Sequence, residues 1–207
     1  MPLKQSSVSV PLVPPMRPFQ SEDAATVARL NNMASGGILL SNWNRTAGTD
    51  GDPWEVGRLQ QIDQMKSGWT MIVLDQGAGI EAVLMGQPHP IEPVSVYGLD
   101  AEWVPLVELE NLMPGAWCLN VIATLPEHRG KGHGKRLMEL AGMIARAEGH
   151  TDLALVVSDA NVEAIRLYRR AGFYEKARRV MVKGDWDGPG REWLLMVKPT
   201  QVIEGNG

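Results

Sequence analysis

Apolar residues recur along this chain with two periods, and the switches between them mark its elements. In "SEDAATVARLNNMA" (21–34), Ala25, Val27, Leu30 and Met33 fall roughly on one helical face. Ser21 can cap that helix, and Glu22 and Asp23 suit its positive end. A second helix is expected over about 54–66. "WTMIVLD" (69–75) and "IEAVLMG" (80–86), separated by "QGAG", predict a hairpin. "AWCLNVIAT" (116–124) predicts a strand that stops at Pro126, which cannot donate to a ladder. The most regular helix is expected over about 132–148. There Leu137, Leu140, Ala141, Ile144 and Ala145 make an apolar stripe, and Gly149 ends it. "DLALVVS" (152–158) is apolar almost throughout, as a strand buried on both faces is.

Weaker patterns fill the gaps. "MRPFQ" (16–20) predicts a first strand, and "AEWVPLVELENLM" (101–113) a short helix with Pro105 in or near its first turn. "NVEAIRLYRRA" (161–171) predicts a helix stopped by Gly172. Residues 173–183 and 192–198 predict a final hairpin joined by "GDWDGPG". Residues 35–53 and 87–100 read as loops, and there is no internal repeat. Paired strands, then strand–helix–strand–helix, then paired strands predict an α+β fold with one central sheet.

Composition narrows the classes. A chain of 207 residues fits one domain, placed here at 16–200 between flexible tails at 1–15 and 201–207. Its 44% hydrophobic and 21% charged content is ordinary for a soluble globular protein. A net charge of −4 argues against a nucleic-acid partner. The single cysteine, Cys118, excludes an intramolecular disulfide and a zinc site of paired cysteines, and favours a reducing compartment. No apolar run is long enough for a signal-peptide core or for the roughly 18 residues of a membrane span. The expectation is a cytoplasmic protein with no membrane partner.

The basic residues that do cluster lie in "LPEHRGKGHGKRL" (125–137), between a strand and a helix. The first amides of a helix lack internal partners, glycines let a ligand approach, and the dipole favours an anion by roughly 0.3–1 kcal/mol. Arg129, Lys131, Lys135 and Arg136 add charge, so a small phosphate-bearing ligand is expected. The P-loop pattern fails twice: its first glycine falls on Arg129 and its Ser/Thr on Arg136. The dinucleotide pattern fails at its third glycine, which falls on Lys135 or Leu137.

A third pattern fits. Arg129-Gly130-Lys131-Gly132-His133-Gly134, preceded by Thr124-Leu125-Pro126, resembles the pyrophosphate loop of the GNAT acyltransferase superfamily, with Thr124 where valine is usual. "NVEAIRLYRRAGF" (161–173) is similar to a second block of that family, and the likeness is closest over about 115–198. It implies a mixed, mostly antiparallel sheet in three α/β/α layers, and an N-acetyltransferase moving acetyl from acetyl-CoA directly to an amine. It implies that Arg129, Gly130, Lys131, Gly132, His133, Gly134 and Lys135 hold the pyrophosphate. Ile122, Ala123 and Thr124 would offer backbone groups to pantetheine, beside an opening between 120–124 and 152–158. Asn161 would contact the cofactor arm, and it also suits a helix N-cap. Tyr168 would protonate the departing thiolate. A free phenol near pKa 10 lies within about 2 kcal/mol of a thiol near 8.5. A core tyrosine beside Ile165 is its plainer role.

The general base is harder to place. A glutamate stands in several members where this chain has Cys118. Residues 118, 120, 122 and 124 share one strand face, so Cys118 and Asn120 can line a site, though neither is a strong base. A buried inert thiol is the better reading of Cys118. Glu108 and Glu110 are the nearest carboxylates in sequence, and each also reads as a solvated helix residue. Glu108 and Asn120 join Tyr168 as catalytic candidates. His128, His133 and His150 lack metal-ligand spacing; the first two read as loop decoration, the third as a solvated helix end, and no metal is expected. The acceptor pocket is expected from 35–53, with Trp43, Asn44 and Arg45, and from 87–114, with Trp103. The acceptor would be a small-molecule or peptide amine. The resemblance also implies a homodimer as an assembly to test. The rival class is a non-catalytic acyl-CoA-binding sensor.

Overall fold

The computed structural model describes residues 8–200. Seven strands form one mixed sheet in the order β1-β2-β3-β4-β5-β7-β6. They are β1 (Met16–Pro18), β2 (Thr70–Asp75), β3 (Ile80–Pro88), β4 (Trp117–Thr124), β5 (Asp152–Ser158), β6 (Tyr174–Val180) and β7 (Glu192–Pro199). The helices are α1 (Ala24–Ala34), α2 (Ile38–Ala47), α3 (Pro53–Lys66), α4 (Val104–Glu110), α5 (His133–Ala147) and α6 (Val162–Arg170). β4 and β5 run parallel, whereas β1/β2, β2/β3, β5/β7 and β6/β7 run antiparallel. This is the mixed, mostly antiparallel sheet with flanking helices expected from the sequence.

Chain contacts divide the molecule into two compact units. The first takes residues up to Gln87, Asn120–Met138 and Asp185–Gly188. The second takes Pro88–Leu119, Glu139–Gly184 and the chain from Pro189 on. Of the predicted tails, residues 1–7 and 201–207 lie outside the described residues.

In the first unit a core of Phe19, Val27, Leu30, Met71, Val83 and Val121 packs α1 on the sheet. Apolar side chains from both periods meet there, which is the physical reason the sequence pattern was readable. The helix start differs from expectation. A 3-10 turn at Ser21–Asp23 precedes α1, and Ser21 does not cap it. The Asp23 carboxylate instead accepts from the Gln20 amide at 2.7 Å and from Arg17. Arg17 also bonds Asp75, which joins β1 to the end of β2.

The predicted loop at 35–53 contains α2. Its Gly-, Asn- and Asp-rich flanks suggest a loop, but Ile38 and Trp43 are buried and anchor it in the unit's interior. Trp43 is 1% exposed and donates from Nε1 to Gln60 on α3 at 2.7 Å. α3 starts where Asp52 accepts from the Trp54 amide, with Pro53 at its first position. Trp186 is also buried, and its Nε1 donates to the Gly36 carbonyl at 2.9 Å.

In the second unit α4 packs against β5, β6 and β7. It is shorter than the expected 101–113, because only Val104–Glu110 keeps helical bonding. Its Leu109 is fully buried, as are Trp117 of β4 and Leu195 of β7. Trp117 Nε1 donates to Glu148 at 3.1 Å. His150, expected at a solvated helix end, instead places Nδ1 2.8 Å from the Gly115 carbonyl and Nε2 3.8 Å from Glu148.

Candidate active site

The glycine turn and its surroundings lie in the first unit. Gly130 and Gly132 have φ values of +78° and +82°, a left-handed backbone that L side chains rarely adopt. A Cβ at either position would meet no atom within 4 Å, so the turn opens to space on both. The Gly132 carbonyl accepts from the Arg136 amide at 3.1 Å, which makes it the start of α5's hydrogen-bond ladder. The amides of His133, Gly134 and Lys135 therefore precede the first intrahelical donor and face out of the helix end. Lys131, Lys135 and Arg136 are exposed. Arg129 reaches Met33 of α1 with Nη2 at 3.6 Å from the sulfur.

Beneath the turn lies a buried polar cluster that sequence spacing did not reveal. Glu81, on β3 and only 6% exposed, sits 2.8 Å from His133 Nε2 and 3.2 Å from His128 Nδ1. Gln76 donates to the same carboxylate oxygen at 3.0 Å. Burial by itself would raise the Glu81 carboxyl. Hydrogen bonds from Gln76 and His133, with the charge of Lys131, outweigh it and hold Glu81 below its ordinary value. His133 is therefore not loop decoration: it is buried and joined to β3. Its Nδ1 is buried without a partner among the described residues. His128 likewise faces Glu81. The signal was absent because Glu81 and His133 lie 52 positions apart.

β4 shows the expected alternation. Val121 and Ala123 are buried, Ile122 and Thr124 are partly buried, and Asn120 is exposed. The parallel ladder to β5 joins Trp117 to Leu153 and Cys118 to Ala154, and ends before Leu119.

In the second unit the two glutamates of α4 separate. Glu108 is exposed and pairs with Arg179 at 2.9 Å, which ties it to the solvent face. Glu110 lies one residue beyond the fully buried Leu109, and burial pushes its carboxyl up to about 7. Cys118 is 5% exposed; burial, and then the Glu110 charge, push its thiol up to about 12. A neutral thiol is a poor nucleophile, so the inert reading of Cys118 stands. Glu110 thus brings a titrating carboxyl close enough for its charge to act on Cys118.

Asn161 caps α6, its side chain accepting from the Ala164 amide at 3.3 Å. Tyr168 is half-buried, with its ring 5.8 Å from that of Phe173. Burial pushes its hydroxyl up to about 12. That weakens it as an acid toward a solvated thiolate. Of the residues expected to line an acceptor pocket, Trp43 is core, Asn44 and Arg45 are exposed on α2, and Trp103 is half-buried at the start of α4. An open groove is lined by Asn42, Trp43, Leu59, Gln60 and Trp69.

With this geometry in place, the likenesses to known proteins take on structural meaning. Residues 92–173, which include the glycine turn, α5, Asn161 and Tyr168, match the model of the acetyltransferase (GNAT) family. Over that stretch the chain resembles the GNAT family. It is 32% identical over 107 residues to an uncharacterised N-acetyltransferase of Methanocaldococcus jannaschii, covering 52% of this chain and 41% of the relative. It is 48% identical over 52 residues to streptothricin acetyltransferase of Streptomyces lavendulae, covering 25% of this chain and 28% of the relative. The matched stretches thus span less than half of either curated relative. In fold, the chain resembles the ribosomal-protein-alanine N-acetyltransferase of Brucella melitensis. The TM-score is 0.60 at 19% identity, covering 91% of this chain and 99% of the other. Among the described residues no helix is long and apolar enough to cross a membrane, and no group of three His, Cys, Asp or Glu side chains is arranged to hold a metal.

Proposed function

We infer that this chain is a GNAT-family, acetyl-CoA-dependent N-acetyltransferase acting by direct attack of an amine. The observation that carries this reading is the turn at 129–135. Two glycines there hold left-handed backbone over open space, at the unsatisfied amide end of a 15-residue helix, among exposed cations. The residues fit a pyrophosphate: donors converge, the surrounding charge is positive, and no side chain fills the space.

The remaining roles follow from chemistry. The backbone of Ile122, Ala123 and Thr124, past the end of the β4–β5 ladder, would pair with pantetheine as an added strand. Asn161 would contact the cofactor arm from the head of α6. An amine near pKa 10.4 is protonated at neutral pH, so a proton must leave before attack. Glu110 is the better base than Glu108, because a carboxyl near 7 balances availability against proton affinity. The freed nitrogen attacks the thioester carbonyl, the C–N bond forms and the C–S bond breaks. The thiolate takes the Tyr168 proton, and the second proton that the new amide nitrogen sheds returns to the Tyr168 oxygen through water. Asn120, exposed on the same strand face as Cys118, would orient the reacting groups rather than carry a proton. The acceptor is a small-molecule or peptide amine, the setting cytoplasmic, and a homodimer the assembly to test by light scattering.

Calorimetric titration with acetyl-CoA, beside ATP and NAD, tests the donor. Thiol release across a panel of amines then tests transfer. Selective micromolar binding with acceptor-dependent release is expected. Binding without release would instead identify an acyl-CoA sensor, and no binding would remove the donor assignment.

A further inference from the structure

One nitrogen in the Glu81 cluster has two neighbours that it cannot serve at once. His128 Nδ1 lies 3.0 Å from Lys131 Nζ and 3.2 Å from Glu81 Oε2. The lysine ammonium only donates, so that contact requires a bare Nδ1. The carboxylate only accepts, so the other requires Nδ1 to carry a proton. The two bonds are therefore alternatives. Glu81 Oε2 already accepts from Gln76 at 3.0 Å and lies 2.8 Å from His133 Nε2, so a third bond to it competes poorly with the 3.0 Å contact to Lys131 while the lysine is in place. In the unliganded chain His128 is thus left to accept from Lys131.

We propose that His128 and Glu81 are positioning residues for Lys131: His128 holds the lysine back in the free protein and hands it to a phosphate-bearing ligand by turning its own Nδ1 to Glu81. The proposal rests on the reading that the 129–135 turn binds pyrophosphate. Lys131 lies between Gly130 and Gly132, whose open backbone would face that ligand. When an anion draws Lys131 Nζ away, Nδ1 loses its donor beside a buried carboxylate. The ring then turns a protonated Nδ1 to Glu81, its proton moving from Nε2 through water. The new bond to Glu81 is charge-assisted and compensates for the one given up. The charged and titratable groups facing His128 are Glu81 from β3 and Lys131 from the turn, with His133 of α5 on the far side of the same carboxylate.

Two measurements test this, one without any ligand. Ring-nitrogen NMR of the free wild-type protein should show His128 Nδ1 as a bare acceptor. In Lys131→Ala, and in wild type saturated with acetyl-CoA, it should become a protonated donor. The second is a double-mutant cycle read by calorimetry with acetyl-CoA. Glu81→Gln should weaken binding about fivefold in wild type, because the hand-over bond loses its charge. In Lys131→Ala the same change should have almost no effect, because no lysine is left to release. Equal losses in both backgrounds, or a His128 spectrum indifferent to Lys131→Ala, would overturn the proposal and leave Glu81 as a support of the turn. Failure of wild type to bind acetyl-CoA would overturn the phosphate reading itself, and the proposal with it.

Discussion

The charge of Glu110 reaches the thiol of Cys118. Burial is the first reason that Cys118 rises to about 12, and the neighbouring carboxylate is the second. The pair places a titrating acid where the strand itself carries none. Glu110→Gln should lower kcat/KM by about 10²-fold or more, the usual contribution of general acid–base catalysis. The base works deprotonated, so wild-type activity should rise with pH through about 7. The variant should lack that limb. A normal rate in Glu110→Gln would send the search for the base elsewhere.

The same carboxyl affects stability. Its folded value of about 7 lies above the ordinary 4.5, so between those pH values the folded state binds more protons than the unfolded. The neutral acid's contribution is fully present below about 4.5 and is lost as pH rises through 7. Urea melts should show wild type losing stability from pH 5 to 8 relative to Glu110→Gln. Parallel pH profiles would refute the burial of the group.

Gly132→Glu should abolish acetyl-CoA binding, because it sets a negative side chain at an open left-handed position beside the expected pyrophosphate. The left-handed backbone adds about 1–2 kcal/mol of strain, so thermal melting should confirm that the variant still folds. Unchanged affinity in the folded variant would remove the phosphate assignment.

Tyr168→Phe should retain binding, since the ring keeps its place beside Phe173. Turnover should fall by about 10²-fold if the hydroxyl gives its proton to the thiolate. Unaltered turnover would make Tyr168 a packing residue.

Gly57→Ala tests the helix that the sequence hid. A Cβ on Gly57 would lie 2.7 Å from Cε3 and Cζ3 of the buried Trp43 ring. Overpacking there should destabilise the fold by about 1–3 kcal/mol, measurable as a shift in the urea midpoint. Wild-type stability would mean that Trp43 can move aside.

Most strands and the long helix were legible because their apolar positions repeat with the period of the element that buries them. β5, at Asp152–Ser158, matches its expected bounds. α2 was not legible, because its short apolar set (Ile38, Leu40, Trp43 and Ala47) sits inside a stretch whose Gly, Asn and Asp residues read as a loop. The glycine turn was legible for a local reason: left-handed glycines, cations and a helix start lie within a few residues of one another. Its support was not. Glu81 meets His128 and His133 across about fifty residues, and nothing in the chain's local pattern links them. The two glutamates of α4 teach the same lesson. Glu108 and Glu110 are equivalent in sequence, but Glu108 finds Arg179 at the surface while Glu110 is withdrawn from water. The sequence by itself determined the periodicity, the turn chemistry and the residue types available for catalysis. Only the tertiary structure decided which carboxylate is desolvated and which histidine is held, because burial and long-range pairing arise only when the chain closes on itself.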